Sequence, residues 1–117
     1  MPKSRAKGKR TELELASLLK ATLSDSSIKR NLAQTADGGV DLTGRSLRYM
    51  AVEAKSAEVP RWSEWLAQAA EQAQESQFPV LARRQAGGTW TFIVQMDLLK
   101  FDKFVRLWNT LTDGKHV

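Results

Sequence analysis

The segment from Leu47 to Ser56 constrains the fold more than any other part of the sequence. It has the composition of a strand, and its apolar residues Tyr49, Ala51, Val52 and Ala54 occupy both strand faces. A strand that is apolar on both faces is typical of a central position, with other elements packed above and below it. The sequence therefore predicts a layered α/β structure built around this strand.

The hydrophobic pattern on either side of this strand predicts the other elements, because apolar residues recur at helical spacing in some segments and alternate in others. In chain order these are a helix from Thr11 that ends before the polar loop 24–27, strands over 28–35 and 40–43, a helix with Pro60 as its first residue, strands over 78–84 and 89–95, and a helix over 98–111. Turns are expected at 36–39, 44–46 and 86–88. The order α-β-β-β-α-β-β-α predicts a mixed central sheet flanked by helices.

The last helix is expected to close the core. Its residues Leu98, Phe101, Val105 and Trp108 recur at helical spacing, which predicts that they face inward. Tryptophan side chains can also stack on unpaired bases, but at helical or strand spacing they are more typical of a core or a dimer interface. That interpretation applies to all four tryptophans: Trp62, Trp65, Trp90 and Trp108.

The first ten residues carry five basic side chains and no acidic ones: Lys3, Arg5, Lys7, Lys9 and Arg10. The other 107 residues hold thirteen basic and thirteen acidic side chains, so the net charge of +5 comes from this segment. We interpret residues 1–10 as a flexible basic arm and residues 11–117 as one domain. Such an arm predicts a polyanionic partner, whose phosphates it would contact with release of counterions. A solubilising tail is the alternative that charge alone leaves open.

Composition excludes several kinds of site. The chain has no cysteine, which excludes disulfides, thiol nucleophiles and cysteine-based zinc sites and indicates a reducing cytoplasm. The single histidine, His116, is next to the C-terminal residue, where a solvated side chain is expected. No apolar stretch is long enough to span a membrane or to serve as a secretory signal. Neither glycine pair has the spacing of a nucleotide-binding loop, so no nucleotide cofactor is expected.

The central strand carries two charged residues on one face. Residues two apart in a strand point the same way, so Glu53 and Lys55 project together. Charges on a covered strand are costly without a purpose, although an ion pair on an edge strand is the simpler alternative. If strands 40–43 and 47–56 pair antiparallel, Asp41 lies close to Glu53. A loop-capping role is the alternative for Asp41.

Converging carboxylates raise each other's pKa unless a cation neutralises them. Oxygen ligands without histidine or cysteine favour Mg²⁺, with Mn²⁺ as a substitute. Glu12 lies on the same helical line as Leu15 and Leu19, so it is expected to face the sheet and reach this metal. Its alternative role is to complement the helix dipole.

These residues together predict a hydrolytic mechanism. A Mg²⁺ ion held by Asp41, Glu53 and Glu12 would polarise a phosphate and lower the pKa of a bound water. Lys55 would orient that water or offset developing negative charge. Water is the expected nucleophile, because the chain offers no Ser-His or Cys-His arrangement.

The sequence resembles a known nuclease group. Asp41 followed by Glu53-Ala54-Lys55 resembles the PD-(D/E)xK core, and Lys7-Gly8-x-x-x-Glu12-x-Glu14-Leu15 ahead of Gly39-Val40-Asp41-Leu42 is similar to archaeal-type and phage Holliday junction resolvases. The similarity covers residues 7–97 in order and spacing. It implies a restriction-endonuclease-like core and a homodimer that cuts branched DNA in recombination or repair, in the cytoplasm of a bacterium or a phage-infected cell. It also implies the catalytic set Glu12, Asp41, Glu53 and Lys55.

The same resemblance implies further site residues. DNA contacts are expected from Lys7, Lys9 and Arg10 by this resemblance, and from Lys3, Arg5 and Arg45 by their charge alone, with a solvated loop charge as the alternative for Arg45. Gln68 or Gln72 is a candidate for the glutamine that several relatives place behind the metal. Arg48, Arg83 and Arg84 are either phosphate contacts or solvated loop charges.

The chain departs from the resolvase pattern directly after the strand lysine. Ser56-Ala57-Glu58-Val59 is neutral to acidic where those resolvases carry basic residues, so junction specificity is less supported than cleavage. The alternatives are a repair or restriction-type nuclease on other DNA, a non-catalytic DNA-binding module of the same fold, and a metal-independent protein-interaction domain.

Overall fold

The computed structural model of the protein describes residues 2–32, 40–56, 60–85 and 87–114, and in the first of these ranges it describes side chains from residue 8 onward. The elements are α1 (Pro2–Leu23), β1 (Lys29–Arg30), β2 (Leu42–Thr43), a short 3₁₀ helix (Arg45–Leu47), β3 (Met50–Ser56), α2 (Trp62–Gln72), β4 (Phe78–Arg84), β5 (Trp90–Val94) and α3 (Leu98–Gly114). This order confirms the predicted α/β class and the mixed sheet with its three helices.

Two small sheets meet at β3. The larger has the order β3-β4-β5, with β3 parallel to β4 and β4 antiparallel to β5. The smaller is an antiparallel pair of β1 and β2. The expected antiparallel ladder between the second and third strands is wrong, because β2 pairs with β1. The backbone N–H of Asp41 nevertheless donates to the Val52 carbonyl at 3.1 Å, which places the start of β2 against β3.

The prediction that β3 is covered on both faces is confirmed. Ala51, Val52, Glu53 and Ala54 are all buried. Val52 and Ala54 belong to a core cluster with Leu15 of α1, while α2 contacts β3 and β4 and buries Trp65 and Ala69. Because strand side chains alternate, Glu53 and Lys55 project from the face opposite Val52 and Ala54.

Helix α1 begins earlier than predicted, at Pro2 instead of Thr11, so the predicted arm is helical from residue 2 to residue 10. Proline suits a first helical position, where its missing N–H leaves no intrahelical bond unmade. The helix ends at Leu23 as expected. Ser24 takes a left-handed conformation with φ of 50°, and the N–H of Asp25 donates to the Lys20 carbonyl at 3.1 Å, a common way to terminate a helix.

The strands around the site are shorter than predicted. Strand β1 covers only Lys29–Arg30 of the predicted 28–35, and residues 33–39, with the predicted turn at 36–39, lie outside the described residues. Strand β3 starts at Met50 because Arg45–Leu47 forms the 3₁₀ helix. Residue 44 is glycine of necessity: an added Cβ would lie 2.7 Å from Ile28 Cγ1.

The second helix begins two residues later than predicted. Arg61 is the N-cap of α2, so Pro60 precedes the helix and is not its first residue. The hairpin between β4 and β5 is confirmed, and Gly87 and Gly88 both adopt positive φ, 89° and 87°. Such angles are readily available only to glycine.

The prediction that the last helix faces inward is wrong. The side chains expected in the core are exposed: Leu98 84%, Phe101 53%, Val105 36% and Trp108 57%. Phe104 lies edge-on to Phe78 with ring centroids 6.4 Å apart. The apolar periodicity is real, but α1 and α2 already pack on the sheet, so most of the apolar face of α3 stays uncovered by the described residues.

Within the described ranges, no helix is both long enough and apolar enough to cross a membrane.

Candidate active site

Asp41 is held rigidly where the two sheets meet. It is 5% exposed, its N–H donates to the Val52 carbonyl, and its own carbonyl accepts from the Asn31 N–H at 2.9 Å. Its side-chain Oδ2 accepts a 2.7 Å hydrogen bond from the Ala54 N–H. A carboxylate that accepts a backbone N–H is fixed in position as well as charge-stabilised. The sequence prediction that Asp41 lies beside β3 is therefore confirmed, by these bonds and not by a strand ladder.

Glu53 is the most perturbed group of this site. It is 5% exposed, and its Oε1 is buried without a hydrogen-bond partner among the described residues. Burial, and then the adjacent Asp41 carboxylate, raise the pKa of Glu53 to about 9, although Lys55 opposes that rise. At neutral pH and without a bound cation the side chain therefore holds a proton. The two carboxyl groups converge as predicted.

Lys55 lies beyond Glu53 on the same face of β3 and reaches helix α2. Its Nζ donates to Gln68 Oε1 at 3.0 Å. Lys55 as a residue is half-buried, and its ammonium is close enough to Glu53 to lower the pKa of that carboxyl. Of the two glutamines predicted behind the site, Gln68 is thus the one with a described bond to Lys55. This bond fixes the position of the ammonium next to the carboxyl pair.

Glu12 faces the sheet as predicted, but it does so with a partner that the sequence did not reveal. Arg30 of β1 donates from Nε to Glu12 Oε1 at 2.9 Å. Burial raises the pKa of Glu12, and the hydrogen bond from Arg30 opposes that rise. Asp41 and Lys55 also act on the Glu12 charge, so all four groups share one electrostatic environment.

Glu12, Asp41 and Lys55 line one open cavity of about 280 Å³, whereas Glu53 is not among its described lining residues. Its lining is Gly8, Thr11, Glu12, Asp41, Ala54, Lys55 and Ser56. Among the described residues, no three histidine, cysteine, aspartate or glutamate side chains form a group that could hold one ion. The structure therefore brings Asp41 and Glu53 together as a pair and places Glu12 beside them, bound to Arg30. A cation held by the pair would need further oxygen ligands from water or substrate, as Mg²⁺ commonly takes.

The predicted DNA contacts are distributed around this cavity unevenly. Lys9 and Arg10 are exposed on α1, close in sequence to the lining residues Gly8 and Thr11. Arg45 lies on the exposed 3₁₀ helix and is not among the lining residues. The side chains of three other predicted contacts, Lys3, Arg5 and Lys7, lie outside the described part of the chain, as does His116.

The arginines near the hairpin are not solvated loop charges. Both belong to β4, Arg83 with its guanidinium 5.4 Å from the Trp62 ring and Arg84 with Nε 2.7 Å from Glu14 Oε2. The tryptophan predictions are confirmed for Trp65, which is buried, and for Trp90, which packs against the core. Trp62 is half-buried against Trp65, with ring centroids 5.7 Å apart.

Compared with known proteins, the chain matches no family model, and no curated protein or solved structure is similar enough to count as a match.

The raised pKa of Glu53 predicts how stability depends on pH in the presence of EDTA. Between its ordinary value of 4.5 and about 9, the folded state binds more protons than the unfolded state, so the free energy of unfolding falls as pH rises. The slope reaches up to about 1.4 kcal/mol per pH unit. Urea unfolding at pH 6 and pH 8.5 should show wild type losing more stability than Glu53→Gln. Parallel losses in the two proteins would contradict the assignment.

Proposed function

We propose that the protein is a Mg²⁺-dependent endonuclease that hydrolyses the phosphodiester backbone of DNA. The observation that carries the proposal is Glu53, a buried carboxyl with an unsatisfied Oε1 beside the fixed carboxylate of Asp41. Buried charges normally have a compensating partner, and a strongly perturbed group at a cavity is a mark of a functional site. Lys55 next to this pair supplies the positive charge that a phosphate needs.

The donor set fits a hard divalent cation. Asp41 and Glu53 offer carboxylate oxygens, the ligands that Mg²⁺ and Mn²⁺ prefer. Oε1 of Glu53 has no hydrogen-bond partner among the described residues, and a cation would replace the proton that burial otherwise imposes. When bound there, Mg²⁺ supplies polarisation of the phosphate and a coordinated water of lowered pKa.

The residues of the chain have separate roles in this reaction. Asp41 and Glu53 bind the ion, and the Ala54 N–H keeps Asp41 in place. Lys55 binds the phosphate or orients the attacking water, stabilising the negative charge that develops on phosphorus oxygens. Glu12, paired with Arg30, contributes a carboxylate at the rim of the cavity that can accept a hydrogen bond from water. The attacking water passes its proton to solvent or to a neighbouring carboxylate, while the phosphorus–oxygen bond to the leaving sugar oxygen breaks and that oxygen takes a proton from solvent.

Gln68 positions Lys55, so its loss should slow the reaction without weakening DNA binding. Gln68→Ala is expected to lower kcat by about 10- to 100-fold, the range seen when residues behind a metal site are removed, with KM unchanged. Glu71→Ala, exposed on the same helix, is the matched control. If kcat and KM of Gln68→Ala changed no more than those of the Glu71→Ala control, the positioning role would be contradicted.

The restriction-endonuclease-like core is part of the proposal. It is supported by the order of elements, by a sheet in which β3 is parallel to β4, and by α1 and α2 packed against that sheet. The sequence similarity described above also supports it, because the matching residues Asp41 and Lys55 line one cavity and both act on the charge of Glu53. We further propose a four-way junction as the preferred substrate, as that similarity implies.

A homodimer is proposed on the basis of helix α3. Six residues form its apolar stripe, at helical spacing and with 36% or more of each side chain exposed: Leu98, Phe101, Phe104, Val105, Trp108 and Leu111. A contiguous exposed apolar stripe is typical of interaction sites. Two such stripes packed across a two-fold axis match each other by symmetry.

The test is cleavage of a synthetic four-way junction beside linear duplex and single-stranded DNA of the same sequence, with Mg²⁺, Mn²⁺ or EDTA. Metal-dependent paired cuts on the junction alone are the expected result. Metal-dependent cutting of linear DNA would retain the nuclease and replace the resolvase with a repair or restriction-type enzyme. Tight binding without cutting in either metal would leave a DNA-binding module and end the proposal of catalysis.

A further inference from the structure

A second cavity, of about 310 Å³, adjoins the candidate active site. It is lined by Arg10, Thr11, Glu14, Ser56 and Arg84, and we call it the Arg84 cavity. Thr11 and Ser56 also line the cavity that holds Asp41 and Lys55. The two cavities therefore lie side by side, separated by one residue of α1 and the last residue of β3.

The charge of the Arg84 cavity is opposite to that of its neighbour. It has two guanidinium groups, Arg10 and Arg84, against the single carboxylate of Glu14. Arg84 donates to Glu14 through Nε at 2.7 Å. A guanidinium has five N–H donors in a planar fork that suits phosphate, so Arg84 keeps further donors beyond the bond to Glu14 that the described residues show.

The sheet fixes the place of Arg84 relative to the candidate active site. In the parallel register Ser56 is the partner of Arg84, one residue beyond Lys55 and its partner Arg83. A main-chain ladder, and not a loop, thus sets the distance between Lys55 and Arg84. The ion pair with Glu14 also holds the guanidinium before any ligand binds, which reduces the ordering that binding requires.

We propose that the Arg84 cavity is a phosphate subsite that binds the backbone phosphate next to the one at Lys55. This inference rests on the proposed nuclease function, since it assigns the path of the same DNA strand. Arg84 and Arg10 bind the phosphate oxygens, and the Ser56 hydroxyl adds a neutral donor. Glu14 is a positioning residue that orients Arg84. The strand would cross from the Arg84 cavity over Thr11 and Ser56 into the active site.

Binding measurements in EDTA test the subsite apart from catalysis. Arg84→Gln is expected to weaken the Kd for junction DNA about 10-fold and to reduce the slope of log K against log salt by about 0.9, the value for one phosphate contact. Arg106→Gln is the matched control, because Arg106 is also bound to a carboxylate, that of Asp102, on the exposed face of α3. Arg106→Gln should change neither the Kd for junction DNA nor the salt slope to a comparable extent. Equal effects of the two substitutions would overturn the inference.

Two further measurements separate phosphate binding from loss of the ion pair. Glu14→Gln breaks the same ion pair but keeps the Arg84 charge, so its Kd should stay within about threefold of wild type if Arg84 binds phosphate. Losses equal to those of Arg84→Gln would show a merely structural role. DNA with a single neutral methylphosphonate at each phosphate in turn should contain one position that weakens wild type but not Arg84→Gln. If no position does so, the subsite is absent.

The same proteins distinguish failure of this inference from failure of the proposed function. Cleavage by wild type with an unchanged Kd in Arg84→Gln would retain the nuclease and overturn the subsite. A selective loss of binding in Arg84→Gln without cleavage by wild type would retain the phosphate site on a DNA-binding protein. Absence of DNA binding by wild type would overturn both.

Discussion

Replacing Glu53 with glutamine is expected to lower the rate of Mg²⁺-dependent DNA cleavage by about 10³-fold or more, the scale on which hydrolases respond to loss of a member of the catalytic set. Glutamine has nearly the shape of the glutamic acid side chain, but its neutral amide cannot replace the carboxylate as a ligand. Single-turnover cleavage measures the rate, because it separates chemistry from binding and product release.

The fold should survive this substitution, which makes the loss of rate interpretable. Without a cation Glu53 already holds a proton at neutral pH, because burial and Asp41 raise its pKa to about 9. Glutamine is the permanent neutral counterpart of that form, so the free energy of unfolding in EDTA should be equal or higher. Glu64→Gln, a change of the same type at an exposed site, should leave the rate unchanged. A Glu53→Gln protein that cleaves within threefold of wild type would contradict the proposed role.

The central part of the site could be predicted because strand geometry fixes it locally. Once Val52 and Ala54 are assigned to the core, alternation alone places Glu53 and Lys55 together on the other face. Strand β4 was predicted with its correct bounds for a similar reason, since a buried run at Phe78–Arg84 is bounded by a polar loop and a glycine turn. Short-range periodicity is enough for such elements.

Contacts between segments that are distant in the sequence were harder to predict. Arg30 reaches Glu12 only because β1 pairs with β2, and a strand of two residues carries no alternation from which its facing could be read. Asp41 lies against β3 as expected. The contact consists of one backbone hydrogen bond and one bond to the Asp41 side chain, which the assumption of an antiparallel strand pair does not predict. The bond between Lys55 and Gln68 depends on how α2 is set on the sheet, and the sequence offered Gln72 with equal support.

Helix α3 shows why a correct pattern can give an incorrect environment. Its amphipathic spacing predicted a buried face, and the spacing is present in the structure. Periodicity states only that one face is apolar, however, and not which molecule covers it. Here the stripe is on the surface of the chain, with Phe104 and Trp108 stacked at a centroid distance of 6.1 Å. The same observation that corrects the prediction of a closed core supports the proposed dimer.

Placing a charge in the α3 stripe is expected to convert the proposed dimer to a monomer. Trp108→Asp, at a side chain that is 57% exposed, would bury two carboxylates across a two-fold interface. The dimer Kd should rise by at least about 100-fold, because an unpaired buried charge costs several kcal/mol and tryptophans are frequent energetic anchors of interfaces. Sedimentation equilibrium over a range of protein concentrations measures this Kd.

The matched control is Thr110→Asp, which adds the same charge on the polar side of α3, where Thr110 bonds the Arg106 carbonyl. It should leave the dimer intact. Because each copy carries one candidate active site, the Trp108→Asp monomer should still nick a junction strand but lose paired cutting of opposite strands. A wild-type protein that is monomeric at all concentrations, or a Trp108→Asp protein that stays dimeric, would show that the stripe serves a different contact.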